Sequence, residues 1–253
     1  MPGGSKSNAS RRVLRWRRPR SPHIVRAAME YARLVRTRFG RRLRDWFRAN
    51  GRDLPWRRTR DPYHVLVSEL MLQQTQVARV VERYGGFLRE FPTLESVARS
   101  RAARVREAWS GLGYYARARN LHALAREVTS GAGVLPSHPA ELRRLPGVGP
   151  YTAGAVASFA YEQRAPLVDT NVARVLRRVF APRLDPRSAR GLRTLWGIAE
   201  AILPRTGRAT WMHNQALMEL GALICTARIA RCDICPVRSM CRTANRRRGA
   251  RIQ

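Results

Sequence analysis

Two carboxylates in the sequence have surroundings that could prepare them for acid and anion chemistry. Glu69 lies in HVLVSELMLQQTQVA, residues 64–78, on or beside the apolar stripe of a predicted helix. Because burying an ionised carboxylate without a partner costs several kcal/mol, such a group either finds a partner or keeps its proton. Asp169 immediately precedes TNVARVLRRV, where it can cap a helix and stay ionised by accepting amide hydrogen bonds.

Together these two carboxylates predict chemistry at a glycosidic bond. Two carboxylates whose environments push their pKa values apart form the acid and the anion of that reaction. Glu69 would protonate a poor leaving group, and Asp169 would stabilise or trap the cationic sugar. Taken alone, Asp169 is more readily explained as an ordinary helix cap, and it gains significance only beside Glu69.

All the cysteines of the chain lie in the short stretch CTARIARCDICPVRSMC. They are separated by six, two and five residues and are Cys225, Cys232, Cys235 and Cys241. Four thiolates on one short loop predict a tetrathiolate metal site, and the residues alone leave zinc and an iron–sulfur cluster open. Arg228 and Arg231, inside the first loop, would present guanidinium groups to phosphate on a surface held rigid by the metal.

Two other stretches predict contacts with a nucleic acid. In LPGVG, residues 145–149, Gly147 and Gly149 allow a tight turn whose free amides can grip a phosphate, although such a turn also serves as a simple helix connection. In GLGYYARARN, Tyr114 and Tyr115 lie near Arg117, where the rings can wedge between or stack on bases.

The amides of Gln73 and Gln74 could fill the position of a base that has left the stack. Without the rest of the pattern, the simpler explanation of these glutamines would be a solvated polar face. The simpler explanation of the tyrosines would be packing in the core.

The charge of the chain favours a polyanionic partner. Its 253 residues carry 49 Lys and Arg against 17 Asp and Glu, a formal net charge of +32. Nucleic acid is the partner that such a balance indicates, although every basic residue except Lys6 is an arginine, as a GC-rich coding bias would also produce. No apolar run is long enough to cross a bilayer, so the sequence predicts a soluble protein that does not bind membranes.

The ends of the chain are expected to be basic tails. Residues 1–29 contain eight basic residues and no acid, and they predict a disordered tail without a secretory core; an organellar transit peptide stays open. Residues 244–253 predict a second basic tail.

Between the tails the pattern is helical nearly throughout, which predicts an all-α protein of ten or so helices. We expect the helix carrying Glu69 to begin at Asp61–Pro62 and to end at Gly85–Gly86, and Thr93 to cap the next helix.

Taken together, these motifs resemble the helix-hairpin-helix DNA glycosylases with an iron–sulfur cluster, and within them the adenine DNA glycosylases. The matching segments run in order from Leu54 to Cys241 and are LPWR, SELMLQQTQVA, GLGYYARARNLH, LPGVGPYTAGAVASFAY, VDTNVARVL and the cysteine loop. The resemblance implies a [4Fe-4S] cluster on the four cysteines. It also implies two helical domains flanking a DNA-binding cleft: a six-helix barrel with the hairpin over 52–166, and a cluster domain from 30–51 and 167–243.

Particular roles follow from the same resemblance. Glu69 resembles the acid that protonates the adenine ring nitrogen, and Asp169 the carboxylate that stabilises or traps the deoxyribosyl cation. Tyr151 and Asn171 resemble residues that support this pair. Tyr114 and one of the two glutamines resemble residues inserted into the base stack, with the target base flipped out of the duplex.

The resemblance also predicts a hydrolase without strand cleavage. Endonuclease III-like relatives cleave the backbone through a lysine two positions after the second hairpin glycine. Tyr151 stands there in this chain, and no lysine follows Lys6. Without an amine nucleophile, a Schiff base cannot form, so the enzyme is expected to be monofunctional.

Two departures from the adenine branch keep other activities open. The branch commonly reads Asp-Gly-Asn where this chain has Asp169-Thr170-Asn171, and it usually continues into a C-terminal domain that reads 8-oxoguanine, whereas this chain ends twelve residues after Cys241. The main expectation is removal of adenine opposite 8-oxoguanine or guanine. The alternatives are removal of thymine or uracil opposite guanine, a non-catalytic iron–sulfur DNA-binding protein, and a zinc-stapled nucleic-acid binder. A monomer in the cytoplasm, associated with the nucleoid, is expected.

Overall fold

The computed structural model describes residues 22–249, with side chains for 23–245, and the regular secondary structure of this part of the chain consists of helices. The predicted all-α class is therefore confirmed, and within residues 22–249 there is no β-strand. The helices are α1 (Pro22–Asn50), α2 (Pro62–Leu72), α3 (Val77–Glu90), α4 (Leu94–Arg99), α5 (Ala102–Ala108), α6 (Ala116–Ser130), α7 (Pro139–Leu142), α8 (Pro150–Phe159), α9 (Thr170–Phe180), α10 (Ala189–Ala201), α11 (Gly207–Leu223) and α12 (Arg242–Gly249).

Several helices begin where the sequence supplies a side-chain cap. Asp61 accepts a hydrogen bond of 2.9 Å from the His64 amide at the start of α2. Thr93 and Ser96 form a reciprocal capping box at the start of α4. These caps satisfy amides that have no partner inside the helix, and they confirm the helix starts expected at Asp61 and Thr93.

The helix that carries Glu69 is shorter than the sequence predicts. It ends at Leu72, and α3 begins only at Val77, so that Gly85 and Gly86 lie inside α3 instead of ending the first helix. In the intervening turn Gln74 has a φ of 57°, which no residue of a right-handed helix adopts. The turn places Gln73, Gln74 and Thr75 at the wall of the same pocket as Glu69.

Both predicted tails are partly helical. Residues 22–29, expected to be disordered, form the first two turns of α1, because Ala28 is buried and anchors this end of the helix to the core. At the other end, residues 244–249 belong to α12, which packs on α9. Residues 1–21 and 250–253 lie outside the described residues.

The helices pack in two groups that meet at α8 and α11. In one group α1 lies along α11 and α10, and α9 packs on both of these. In the other group α2 packs on α3 and α8, and α6 packs on α4 and α5. The starts of α8 and α9 thereby come close to the middle of α2, which is where the candidate site forms. The predicted domain boundaries stay a prediction, and no helix within residues 22–249 is long and apolar enough to span a membrane.

Candidate active site

Glu69 is buried in α2 with only 3% of its surface exposed, as its place in the apolar stripe predicts. Burial raises the pKa of its carboxyl to about 7, and the nearby Asp169 adds to the effect, while a hydrogen bond from Tyr151 and the charge of Arg57 act against it. A carboxylic acid with this pKa holds its proton in a large fraction of molecules at neutral pH. Glu69 is therefore able to deliver a proton inside the protein.

Tyr151 holds the Glu69 carboxyl in place. It lies in the first turn of α8, and its hydroxyl donates a hydrogen bond of 2.7 Å to Oε2 of Glu69. The same hydroxyl lies 3.7 Å from Sδ of Met218 in α11. Because α2, α8 and α11 each contribute one of these groups, the carboxyl has a fixed position at the junction of the two helix groups.

Asp169 is the N-cap of α9, as expected. Its Oδ1 accepts a bond of 2.6 Å from the Val172 amide, and its Oδ2 accepts one of 3.0 Å from the Asn171 side chain. The sequence predicted that such bonds would dominate and favour the anion. Burial instead raises the pKa of Asp169 above its usual value, against those bonds and the charge of Arg174. The carboxyl thus has little contact with water, and its charge is poorly shielded.

These groups line one pocket of about 550 Å³, a volume suited to a small organic group such as a base and its sugar. The residues that the sequence analysis singled out and that line it are Glu69, Gln73, Gln74, Tyr151, Asp169 and Asn171. Gln73 Nε2 also donates a 3.3 Å hydrogen bond to Oγ1 of Thr152, which fixes it at the pocket wall. The two carboxylates, predicted from stretches 100 residues apart, therefore share one cavity.

The pocket also contains charged residues that the sequence analysis missed. Glu219 of α11 is buried and accepts bonds of 2.8 and 2.9 Å from the Arg52 side chain and of 2.9 Å from Arg57. Arg57 in turn donates to Oε1 of Gln215 at 2.9 Å. Glu219 lies between Leu217 and Leu220 in the core face of α11, the same signal of an acid among apolar positions that identified Glu69.

The residues expected to enter DNA occupy two exposed turns. Gln74 is exposed in the turn between α2 and α3, and Tyr114 is 60% exposed just before α6. Both have positive φ angles, 57° and 46°, although neither is a glycine. Tyr115 is 37% exposed and lies under the guanidinium of Arg106, 5.1 Å from the ring centroid. These positions are compatible with contact to a duplex.

Arg117 does not fit its predicted role as a DNA contact. Only 6% of its surface is exposed, because its guanidinium points inward and binds backbone carbonyls of both turns. The spacing from the tyrosines suggested a surface position, whereas the side chain lies on the buried face of α6 beside Ala118 and Leu121.

The hairpin lies between α7 and α8. Gly147 is exposed with a φ of 75°, and a Cβ at this position would lie 2.6 Å from Cβ of Asn120, so both backbone conformation and space require glycine. Gly149 is the N-cap of α8, directly before Pro150. The turn thus exposes backbone at a helix start, the arrangement expected of a phosphate-binding hairpin.

All the cysteines carry free thiols and line one small cavity under α9. Burial and the neighbouring cysteines raise the pKa of Cys235 to about 11, so at neutral pH its thiol keeps its proton unless a bound cation displaces it. Within residues 22–249, no three His, Cys, Asp or Glu side chains converge closely enough to hold a single metal ion. Four cysteine side chains around one small cavity are a donor set that both a zinc ion and an iron–sulfur cluster can use.

Arginines surround this cysteine cavity. Arg178 donates to the Thr226 carbonyl at 2.7 Å and lies 3.4 Å from Sγ of Cys225. Arg228 and Arg231 also line the cavity and are exposed on its outer side. Positive charge at this place suits a cluster held by thiolates, which is an anion as a whole, and it also suits a phosphate on the outer surface.

Comparison with known proteins agrees with this fold. Residues 67–200 match the family described as HhH-GPD superfamily base excision DNA repair protein. The chain belongs to this superfamily. Its helical fold resembles that of a thermostable thymine-DNA glycosylase, with a TM-score of 0.76, 30% identity, and coverage of 83% of this chain and 97% of that one.

Curated relatives point to one branch of the superfamily. The adenine DNA glycosylase of Homo sapiens is 44% identical over 236 residues, which are 89% of this chain and 42% of that protein. The adenine DNA glycosylase of Mycolicibacterium smegmatis is 44% identical over 203 residues, 79% of this chain and 67% of that protein. The chain therefore spans less than half the length of the human relative.

Proposed function

We propose that this protein is a monofunctional DNA glycosylase that hydrolyses the bond between adenine and its sugar. The observation that carries the proposal is the buried Glu69, held by Tyr151 in the same pocket as Asp169. A proton donor and a poorly solvated carboxylate on one small cavity are what the cleavage of a glycosidic bond requires.

In the proposed reaction the target base leaves the duplex and enters the pocket. Glu69 gives its proton to a ring nitrogen of the base, so the base leaves as a neutral molecule while the bond to the sugar breaks. Asp169 stabilises the positive charge that develops on the sugar, or bonds to it, until water adds at the same carbon and gives a proton to the Glu69 carboxylate. Hydrogen bonds from Asn171 and the Val172 amide orient the Asp169 carboxylate for this step.

Strand cleavage is not part of the proposal. Cleavage through a Schiff base needs an amine, and Tyr151 occupies the wall position where the lyase relatives carry their lysine. Its hydroxyl is already engaged with Glu69. The expected product is an intact strand with an abasic site.

Adenine is proposed as the target because the relatives that carry this name match most of the chain at 44% identity. The pocket wall also carries Gln215, whose amide group is suited to hydrogen bonding with a polar base edge. The partner base is proposed to be 8-oxoguanine or guanine. Thymine or uracil opposite guanine is the second candidate, which the similarity to the thymine-DNA glycosylase favours.

Double-stranded DNA with a mispair is the proposed partner, bound in the cleft between the two helix groups. Arg228, Arg231 and the hairpin at Gly147 would contact phosphates, and the exposed Gln74 and Tyr114 would enter the stack. Cys225 and the three cysteines that share its cavity would hold a [4Fe-4S] cluster, which fixes the shape of the loop when bound. Because one chain supplies the whole pocket, we propose a monomer. We also propose that it acts in the cytoplasm, on the nucleoid.

The test is base release under single-turnover conditions, with alkali to reveal abasic sites. The substrates are duplexes pairing adenine with 8-oxoguanine, adenine with guanine, and thymine or uracil with guanine. Strand breaks that appear only after alkali, on the adenine duplexes, would support the proposal. Release of thymine or uracil alone would transfer the assignment to the second candidate, and no release with the metal site loaded would favour a non-catalytic DNA-binding protein.

A further inference from the structure

Arg117 connects two turns that lie about forty residues apart in sequence. From α6 its side chain reaches the turn between α2 and α3 on one side and the turn before α6 on the other. Nη1 donates to the carbonyls of Leu70, Met71 and Gln73 at 2.8, 2.7 and 2.6 Å. Nη2 donates to Oγ1 of Thr75 and to the carbonyls of Leu112 and Gly113 at 3.1, 3.0 and 2.9 Å.

The acceptors explain why both turns depend on this one side chain. The carbonyls of Leu70 and Met71 belong to the last turn of α2, where a helix has no internal donors left. Arg117 supplies those donors where the helix ends at Leu72, before the turn that holds Gln74. The guanidinium has no carboxylate beside it in this network, so separating the two turns would leave a buried cation without hydrogen bonds.

Both turns hold an exposed residue in an unfavourable backbone conformation. Gln74 and Tyr114 have φ angles of 57° and 46°, in the left-handed region that side chains other than glycine disfavour. Such a conformation persists only where its surroundings enforce it, and it concentrates at functional sites. The Arg117 guanidinium also lies 5.5 Å from the centroid of the Tyr114 ring, so it contacts the side chain as well as the turn.

We propose that Arg117 is a positioning residue that holds Gln74 and Tyr114 as a single preformed wedge for duplex DNA. Its guanidinium does not contact the DNA, because hydrogen bonds inside the protein occupy its donors. The inference rests on the proposed function only in taking duplex DNA as the partner. Lysine cannot replace arginine here, because one ammonium with three donors cannot reach acceptors in both turns.

The experiment measures how far the wedge unstacks the duplex, independently of base release. Duplexes carry an adenine–8-oxoguanine mispair with 2-aminopurine as the neighbouring base, whose fluorescence rises when it leaves the stack. All proteins carry Glu69→Gln, so that base release is too slow to contribute during the measurement. We expect Arg117→Lys to reduce the saturating fluorescence rise at least fivefold. The matched control is Arg126→Lys, an exposed arginine of the same helix, which should leave the rise unchanged.

A double-mutant cycle separates positioning from a general loss of structure. Gln74→Ala with Tyr114→Ala should give the same low rise, and adding Arg117→Lys to that pair should reduce neither the rise nor duplex affinity further. A wild-type rise in Arg117→Lys would overturn the inference, and so would a further loss in the triple variant. The fluorescence readout needs no catalysis. A negative result in this experiment therefore does not contradict the proposed glycosylase activity, and a negative result in the base-release assay does not contradict the proposed wedge.

Discussion

The hydroxyl of Tyr151 lies 2.7 Å from Oε2 of Glu69, in the wall of the pocket that also contains Asp169. This contact joins the first turn of α8 to the middle of α2 and so links the hairpin to the acid. Burial raises the pKa of Glu69 to about 7, and the hydrogen bond from Tyr151 limits that rise because it favours the ionised carboxylate. The acid is thus held at a proton affinity suited to work near neutral pH.

The pH dependence of base release should report this acid. Glu69 must be protonated to act, so the single-turnover rate should be highest below pH 7 and fall as the pH rises through about 7. Tyr151→Phe removes a bond that favours the anion, which raises the pKa of Glu69. The falling limb should therefore move to higher pH in Tyr151→Phe. A limb that stays in place or moves to lower pH would mean that another group titrates.

A chain of hydrogen bonds leads from the pocket to the cysteine loop, and its middle member is Arg174. Nη2 of Arg174 donates to Oδ1 of Asn171 at 2.8 Å, and its Nε donates to the Cys225 carbonyl at 2.7 Å. Asn171 in turn donates to Asp169. Removing the guanidinium should therefore misplace the Asp169 carboxylate.

Arg174→Gln should lower the single-turnover rate by about 10- to 100-fold, since small misplacements of a reacting group have effects of that size. Arg187→Gln, at an exposed position before α10, is the matched control and should retain the full rate. Metal content should be measured in both variants. An unchanged rate in Arg174→Gln would exclude any influence of the cysteine loop on Asp169 through this chain of bonds.

Glu219 should stabilise the fold in a pH-dependent manner. Burial opposes its ionisation, but hydrogen bonds from Arg52 and Arg57 outweigh burial and lower its pKa to about 2. Because the folded-state pKa lies below the ordinary value of 4.5, the stabilisation is fully present above about pH 4.5. It is lost as the pH falls toward 2.

Glu219→Gln should lower the free energy of unfolding at pH 7 by about 3 kcal/mol, because it leaves two arginines without their buried partner. Denaturant unfolding measures this difference in the free energy of unfolding. Between about pH 4.5 and 2, the variant should lose less stability than the wild type, because it has no carboxylate at this position to protonate. Glu200→Gln breaks the exposed pair with Arg164 and should cost less than about 1 kcal/mol. Equal effects of the two substitutions would show that burial of Glu219 contributes nothing.

The cysteine cavity should bind iron and not zinc. The protein purified without chelators is expected to be brown and to carry about four iron atoms and four sulfides per chain. Cys235→Ser should lose the colour and most of the iron, and it should weaken binding to duplex DNA because the loop with Arg228 and Arg231 is no longer held. A colourless protein with one zinc ion per chain would contradict the assignment.

The sequence predicts those parts of the site whose signal is local. Glu69 is visible as an acid in an apolar stripe, Asp169 as a cap before a helix, and the cysteines as a close cluster. Glu219 has the same local signal in α11, but the sequence does not show that Arg57 is its partner, because the two positions lie 162 residues apart. The end of α2 at Leu72 could not be predicted for a similar reason. Residues 73–76 contain neither glycine nor proline, and the donors that pair the last carbonyls of α2 come from the distant Arg117.

The most direct test of the central claim compares wild type with Glu69→Gln on the adenine–8-oxoguanine duplex under single-turnover conditions. Glutamine keeps the shape of the side chain but has no proton to give. The expected result is unchanged affinity for the duplex with base release slowed by about 10²- to 10⁴-fold, the usual contribution of a general acid. Base release by Glu69→Gln at the wild-type rate would contradict the account.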